Sequence, residues 1–355
     1  MIPPLHRRIG FEIELMAPPG VSRRTLATDL AARHGGQARP VWHHDSELSM
    51  VPGLVRFLHV TPAFEVTRAD GSLLCTLVDD ITLVNGLDQQ APAKDGWFRI
   101  LGDEARLIRL VAAHSDPGGT IDTALDNAAK IWNRDVDLVD GVYRLDDEAG
   151  ASIAMAAPLT GERERPCEII TPPLAADHAV TLEHLLGPAR ELGFTIPQEA
   201  AVHMHLDGAP FHNPATLANV IRLFAFYREP LRTALQTNTN SRRLAPLPST
   251  LVRAVSFGTP SWKDLRYAAT DGELTKFFDV NMVQLFRENP IRDTLEIRIL
   301  PGALHTEDIV NRAALVELLL DRCEDPEPIP EAPTDPAEAL EALLELAAEA
   351  LANRP

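Results

Sequence analysis

Ile9-Gly10-Phe11-Glu12-Ile13-Glu14-Leu15 sets two carboxylates two residues apart inside an otherwise apolar run. Side chains alternate across a strand, so Glu12 and Glu14 share one face while Phe11, Ile13 and Leu15 take the other. Two later stretches repeat the device: Ala201-Val202-His203-Met204-His205-Leu206, and Thr294-Leu295-Glu296-Ile297-Arg298-Ile299-Leu300. Taken singly, each has an ordinary reading. Glu-Ile-Glu suits any half-solvated antiparallel strand, His-Met-His a structural hydrogen-bonded pair, and Glu-Ile-Arg a solvated ion-pairing face. Taken together they predict a sheet whose apolar face packs on helices and whose other face gathers carboxylates, imidazoles and a guanidinium. Clustered carboxylates repel and resist desolvation, so such a face is costly unless something charged binds there. Divalent metal ions with a phosphate-bearing substrate would satisfy it.

A chain of 355 residues can bury a large core as one elaborate domain or two. Its 45% hydrophobic and 24% charged residues are those of an ordinary globular protein. No run approaches the ~20 apolar residues of a membrane span, and Met1-Ile2-Pro3-Pro4-Leu5-His6-Arg7-Arg8 lacks the apolar stretch of a signal peptide. A cytoplasmic protein without membrane partners is expected. Cys75, Cys167 and Cys323 are far apart and odd in number, which suggests reduced, packed thiols rather than a disulfide framework or a paired-cysteine zinc site. The net charge of −18 argues against a nucleic-acid surface. Much of it is local: nine acidic residues stand against Arg354 alone from Glu324 onward, so −8 lies there and −10 in the rest.

Ser22 is a plausible cap for a helix to about His34. Ala69-Asp70-Gly71 joins two β-rich runs as a hairpin, and a second hairpin is expected around residues 141–156. Helices are expected at about Asp103–His114, Ile121–Trp132, Ala179–Leu192 and Pro214–Leu235, the last kinked by Pro230. Residues 51–160 read as a β-rich insertion in a catalytic domain spanning 1–323. Glu168-Ile169-Ile170-Thr171-Pro172-Pro173 forms a strand ended by its prolines, and Lys276–Leu285 another that carries Asp279 and Asn281. Residues 324–334, acidic and rich in proline, make a stiff linker. Asp335, Pro336 and Glu338 then open an amphipathic helix over 335–352, with Leu340, Leu343, Leu344, Ala347 and Leu351 as its stripe. That helix is expected to dock on its own domain or a partner, a homo-oligomer included.

In order along the chain stand Gly10-x-Glu12-x-Glu14, Asp45-Ser46, the Glu168–Pro173 strand, His203-x-His205, Arg242-Arg243, Asn281 and the Thr294–Ile299 strand. With these pieces the chain resembles the amidoligase family, within the superfamily of glutamine synthetase and glutamate-cysteine ligase. The resemblance implies an α+β fold like the glutamine synthetase catalytic domain: an antiparallel sheet holding Mg²⁺ and ATP on one face, with helices on the other. It further implies ATP-dependent condensation of a carboxylate with an amine. By position Glu12, Glu14, Asp45, Glu168, His203, His205 and Glu296 correspond to metal ligands, and Arg242, Arg243, Asn281 and Arg298 to nucleotide contacts. Ala201 and Val202 depart from the family, which tends to have glycine there.

The chemistry expected is phosphoryl transfer from ATP to a small-molecule or peptide carboxylate, then attack of an amine on the acyl phosphate. Octahedral Mg²⁺ takes oxygen ligands, Arg298 suits the transferring group, and Asp45 could accept the proton of the amine. Two rivals stand beside this reading. One is a zinc hydrolase built on His203 and His205 with Glu168 or Asp45. The other is a catalytically silent peptide-binding scaffold. Mg²⁺-dependent ATP hydrolysis separates the first reading from both.

Overall fold

The computed structural model describes residues 4–44, 58–241 and 244–354. In chain order the elements are β1 (Ile9–Met16), α1 (Arg23–Arg33), β2 (Ala38–His44), β3 (Leu58–Thr67), β4 (Leu73–Val78), β5 (Phe98–Gly102), α2 (Ala105–Ala113), α3 (Asp126–Trp132), β6 (Asp137–Val139), β7 (Val142–Asp146), β8 (Ser152–Pro158) and β9 (Pro166–Ile170). Then come α4 (His178–Glu191), β10 (Ala201–Asp207), α5 (Pro214–Phe226), α6 (Arg228–Leu235), α7 (Ser249–Ser256), α8 (Trp262–Asp271), β11 (Val280–Asn281), β12 (Thr294–Pro301), α9 (Thr306–Glu324) and α10 (Pro336–Asn353). The class is mixed α/β with antiparallel sheet pairing. Among the described residues no helix is long and apolar enough to cross a membrane.

The chain divides into two compact units. A terminal unit comprises Met1–Ile13, Pro173–Leu186 and Gln198–Pro355; an inner unit comprises Glu14–Pro172 and Gly187–Pro197. The division does not fall at the expected insertion boundaries, because β3 and β4 of the 51–160 segment pair onward to β9. That segment supplies strands of the inner sheet.

The inner unit orders its strands β9-β4-β3-β5-β8-β7-β6, with β2 paired to β3. Val60, Phe98, Ile100, Leu145, Ala154 and Ala156 point to one side, where Ile108, Val111 and Ala128 of α2 and α3 cover them. Ser22 caps α1 with its hydroxyl, and Thr25 returns the bond to the cap, as the sequence suggests. Arg23, 0% exposed, donates to the carbonyls of Pro62 (3.1 Å) and Pro166 (3.2 Å) and lies over the Trp97 ring at 4.4 Å. Burial pulls its pKa down to about 10. Gly36 is a position of forced close approach: a Cβ there would lie 1.7 Å from the carbonyl oxygen of Thr67. Cys75 and Cys167 are buried free thiols raised by burial, Cys75 to about 12.

The terminal unit orders its strands β11-β12-β10-β1. Two expectations need correction here. The long helix breaks at Tyr227 into α5 and α6, ahead of Pro230; that proline lies in the first turn of α6, where a missing N–H costs nothing. The expected strand over Lys276–Leu285 shrinks to β11, because Val283–Phe286 winds into a 3₁₀ turn. The acidic linker is also held down: Asn219 of α5, 1% exposed, donates to the carbonyls of Asp325 (2.9 Å) and Glu327 (3.1 Å) and accepts from the Ile329 amide (3.1 Å).

Helix α10 packs on α9 and α6 of its own unit. Its buried stripe is Ala339, Leu343, Leu346, Ala347 and Ala350, while Leu344 and Leu351, expected in the stripe, are exposed. Alanines permit close helix approach that a count of leucines overlooks. Arg354 ends the helix with bonds to Glu317 (2.6 Å) and Asp321 (2.6 Å). Asp335 caps the start, accepting from the amides of Ala337 (2.9 Å) and Glu338 (3.1 Å). Asp335→Ala is expected to cost about 1 kcal/mol, read as a lowered midpoint in urea; an unchanged midpoint would show that docking alone fixes this helix.

Candidate functional site

Strand register in the terminal unit builds the site. Gly10 pairs with His205 and Glu12 with His203 across β1 and β10. His205 pairs with Glu296 across β10 and β12, and Glu296 with Asn281 across β12 and β11. Antiparallel alternation therefore lines up His205, Glu296 and Asn281 in one row, and Glu12 with His203 in the next. A register shift between Val202 and Met204 gives β12 an additional residue opposite β10 at Arg298 and Ile299. Arg298 stays beside Glu296, and its amide bonds to the carbonyl of Asp279 at 3.2 Å.

The side chains converge. Glu12 Oε2 lies 3.3 Å from His203 Nδ1, and Glu12 Oε1 lies 3.0 Å from His205 Nε2. Glu296 Oε2 accepts from Asn281 Nδ2 at 2.6 Å, Glu296 Oε1 accepts from the Arg298 guanidinium, and His203 Nδ1 lies 3.7 Å from Glu296 Oε1. Ligand atoms of Glu12, His203 and Glu296 all lie within 4.8 Å of one another, the reach of a single cation. The buried Arg298 Nε and His205 Nδ1 have no hydrogen-bond partner among the described residues. Unpaired donors beside gathered acceptors fit a site built for a cation and an anion together.

Burial pushes the Glu12 carboxyl up, but the charge of His205 and bonds from both histidines outweigh it and hold Glu12 well below its ordinary value. Burial also opposes a charged His205, yet Glu12 raises it on balance. Glu296 is lowered: burial works against ionisation, and Arg298 followed by the histidines overcomes it. These directions fix a pH dependence for metal-free protein. The raised His205 contributes stability fully below its ordinary 6.5 and loses it as pH rises through the raised value. The depressed Glu12 contributes above its ordinary 4.5 and loses it on acidification. Melting in a chelator should therefore fall from mildly acidic to alkaline pH more steeply in wild type than in His205→Gln. Parallel curves would show that the pair carries no linkage.

Of the remaining sequence-predicted residues, Glu14 and Glu168 belong to the inner unit, where each brings a carboxylate oxygen within 4.8 Å of the other. Glu14 is 5% exposed. Asp45, Arg242 and Arg243 lie outside the described residues. A support that sequence reasoning missed is Asp279, 1% exposed, which accepts from Arg228 (2.5 Å) and Arg232 (3.2 Å) of α6. Burial raises its pKa against the pull of Arg228. Its signal was present as two arginines four apart, a single-face pair on a helix.

A family model described as "putative amidoligase enzyme" matches residues 5–320. The chain belongs to this amidoligase family. The match takes in all the residues gathered above, and the expected family assignment holds. Membership supports an enzyme of the ligase class that forms amide bonds. No curated protein matches the chain.

Proposed function

We propose that this amidoligase is an ATP- and Mg²⁺-dependent carboxylate-amine ligase working through an acyl phosphate. The observation that carries the reading is the meeting of Glu12, His203 and Glu296 at one-cation distance beside the Arg298 guanidinium. Two carboxylates and one imidazole would suit a hard or borderline divalent ion, leaving it open to oxygen donors of a substrate. Glu14 and Glu168 offer an all-carboxylate pair for a further ion. Bound Mg²⁺ would neutralise charge on the phosphate oxygens during transfer.

The residues themselves have distinct tasks. Glu12, His203 and Glu296 would hold the ion. Asn281 fixes the Glu296 carboxylate through Oε2, which aims Oε1 toward Arg298 and His203. Arg298 would turn its unpaired Nε to the transferring phosphoryl group while Glu296 keeps the guanidinium in place. A glutamine synthetase-like placement of ATP on the polar sheet face belongs to the same reading. The zinc reading is weaker, since the one-cation cluster includes His203 but not His205.

ADP release tests the proposal, measured with ATP, Mg²⁺ and pairs drawn from panels of carboxylates and amines, with mass spectrometry of the products. Release that requires both partners and stops without Mg²⁺ is expected. Amide hydrolysis with zinc retained through dialysis, and no ADP with any pair, would overturn it.

A further inference from the structure

The inner sheet has a second face, opposite the α2 and α3 side, and beyond Glu14 and Glu168 the ligase reading gives its residues no role. Residue parity assigns it. Val60 pairs with Ile100 and both belong to the apolar core, so Thr61 and Arg99, the next residues along, oppose each other on the other side. His59, two residues back, pairs with Leu101, which pairs with Met155, and Arg99 itself pairs with Ala157. Glu168 shares this face through Val78, its partner on β4, because the preceding Leu77 pairs with Phe64 on the apolar side. One sheet face of the inner unit thus runs from the Glu14 and Glu168 carboxylates to a cationic patch around Arg99.

That patch is buried rather than solvated. Thr61 is 1% exposed and its hydroxyl has no hydrogen-bond partner among the described residues. A β-branched hydroxyl locked in a strand and left unpaired is a standing cost that valine would avoid. Arg99 is partly buried; burial lowers its pKa, Asp79 raises it and Arg163 lowers it. Asp79 does not cancel the Arg99 charge alone, because Arg163 binds both of its oxygens. Arg163 in turn gives two further donors to the carbonyls of Leu83 (2.7 Å) and Asp80 (2.6 Å). A guanidinium stays charged whatever neighbour it holds, so an anion brought to this face meets a fixed positive charge at Arg99.

The geometry points to a carboxylate subsite on β3 and β5, with Arg99 as the cationic clamp and the Thr61 hydroxyl as a neutral donor. This inference rests on the ligase reading for its choice of carboxylate over other anions. The carboxyl-bearing substrate is held by this patch on the face that also carries Glu14 and Glu168. Met155 stands across Leu101 as a natural reporter, half-buried beside the patch.

The test uses glutarate, a short dicarboxylate, with propylammonium as a cationic control, on full-length protein labelled with ¹³C-methyl methionine. The chain has six methionines, and Met155→Leu assigns the signal. Glutarate should shift the Met155 methyl saturably and propylammonium should not. Arg99→Ala should weaken glutarate about tenfold or more, and Thr61→Val about threefold. Thr61→Val should also melt no lower than wild type without glutarate, since it deletes an unpaired hydroxyl at constant shape. If Arg99→Ala fails to fold, Thr61→Val alone decides. A Met155 signal indifferent to glutarate, or equal affinity in wild type and Thr61→Val, would overturn the subsite. Neither readout involves ATP. Loss of Mg²⁺-dependent ADP release with glutarate binding intact would therefore sink the ligase reading and leave the subsite standing.

Discussion

Glu296→Gln and Glu12→Gln are each expected to reduce ADP formation about a thousandfold or more, equivalent to about 4 kcal/mol of lost transition-state stabilisation. The shape of both side chains is retained, so circular dichroism should show the fold preserved even where the lost carboxylate lowers the melting midpoint. Glu296 is the sharper case. Its carboxylate takes Asn281 on one oxygen and Arg298 on the other, and His203 lies within 3.7 Å. An amide can accept from one of these donors only by turning its own N–H₂ toward the other, which removes the anionic oxygen and sets donor against donor. Glu12→Gln leaves His203 and His205 without their shared counter-charge, and the His205 imidazole, raised by Glu12, reverts toward its neutral form. ADP release at saturating ATP and Mg²⁺ measures both. Turnover near wild type in the two variants would show that these carboxylates hold no catalytic ion.

The strands carrying this site were legible because strand period is written in the sequence. Glu12, His203, His205, Glu296 and Arg298 each sit two residues from another ionisable group between buried aliphatics, and the structure brings these five together. What stayed hidden depended on pairing between distant segments. Nothing local in Val202-His203-Met204 announces the register shift that gives β12 its additional residue. Strand β2 contains Pro40, a residue that speaks against a strand, yet it pairs with β3 along its length; among the described residues β2 has no partner strand on its other side, where a proline is tolerated. The 51–160 segment read as an insertion since its runs are separated by helices and turns; only pairing of β4 with β9 shows that it continues the inner sheet. Asn219 gave no local signal, and Asp279 read only as a strand companion of Asn281. Their roles come from burial, which converts a surface-type residue into a clamp on the linker in one case and on α6 in the other.

Arg298→Lys is expected to keep the fold and Mg²⁺ affinity while lowering the turnover number by about two to three orders of magnitude, or roughly 3–4 kcal/mol. Arginine here uses one end of a planar fork to hold Glu296, and its Nε remains unspent and buried. A lysine ammonium at the same position must choose, because it is a single point charge on a flexible stem. Attraction to Glu296 would draw it to the carboxylate, and the phosphoryl group would lose its donor. The charge count of the site is unchanged, so an effect confined to turnover identifies geometry rather than net charge as the contribution of Arg298. Loss of a uniform binding contact would instead raise the ATP KM with turnover intact. Turnover at saturating ATP should therefore be measured beside Mg²⁺ affinity. A variant with wild-type turnover would reduce Arg298 to an ion-pair partner of Glu296 that steadies the end of β12.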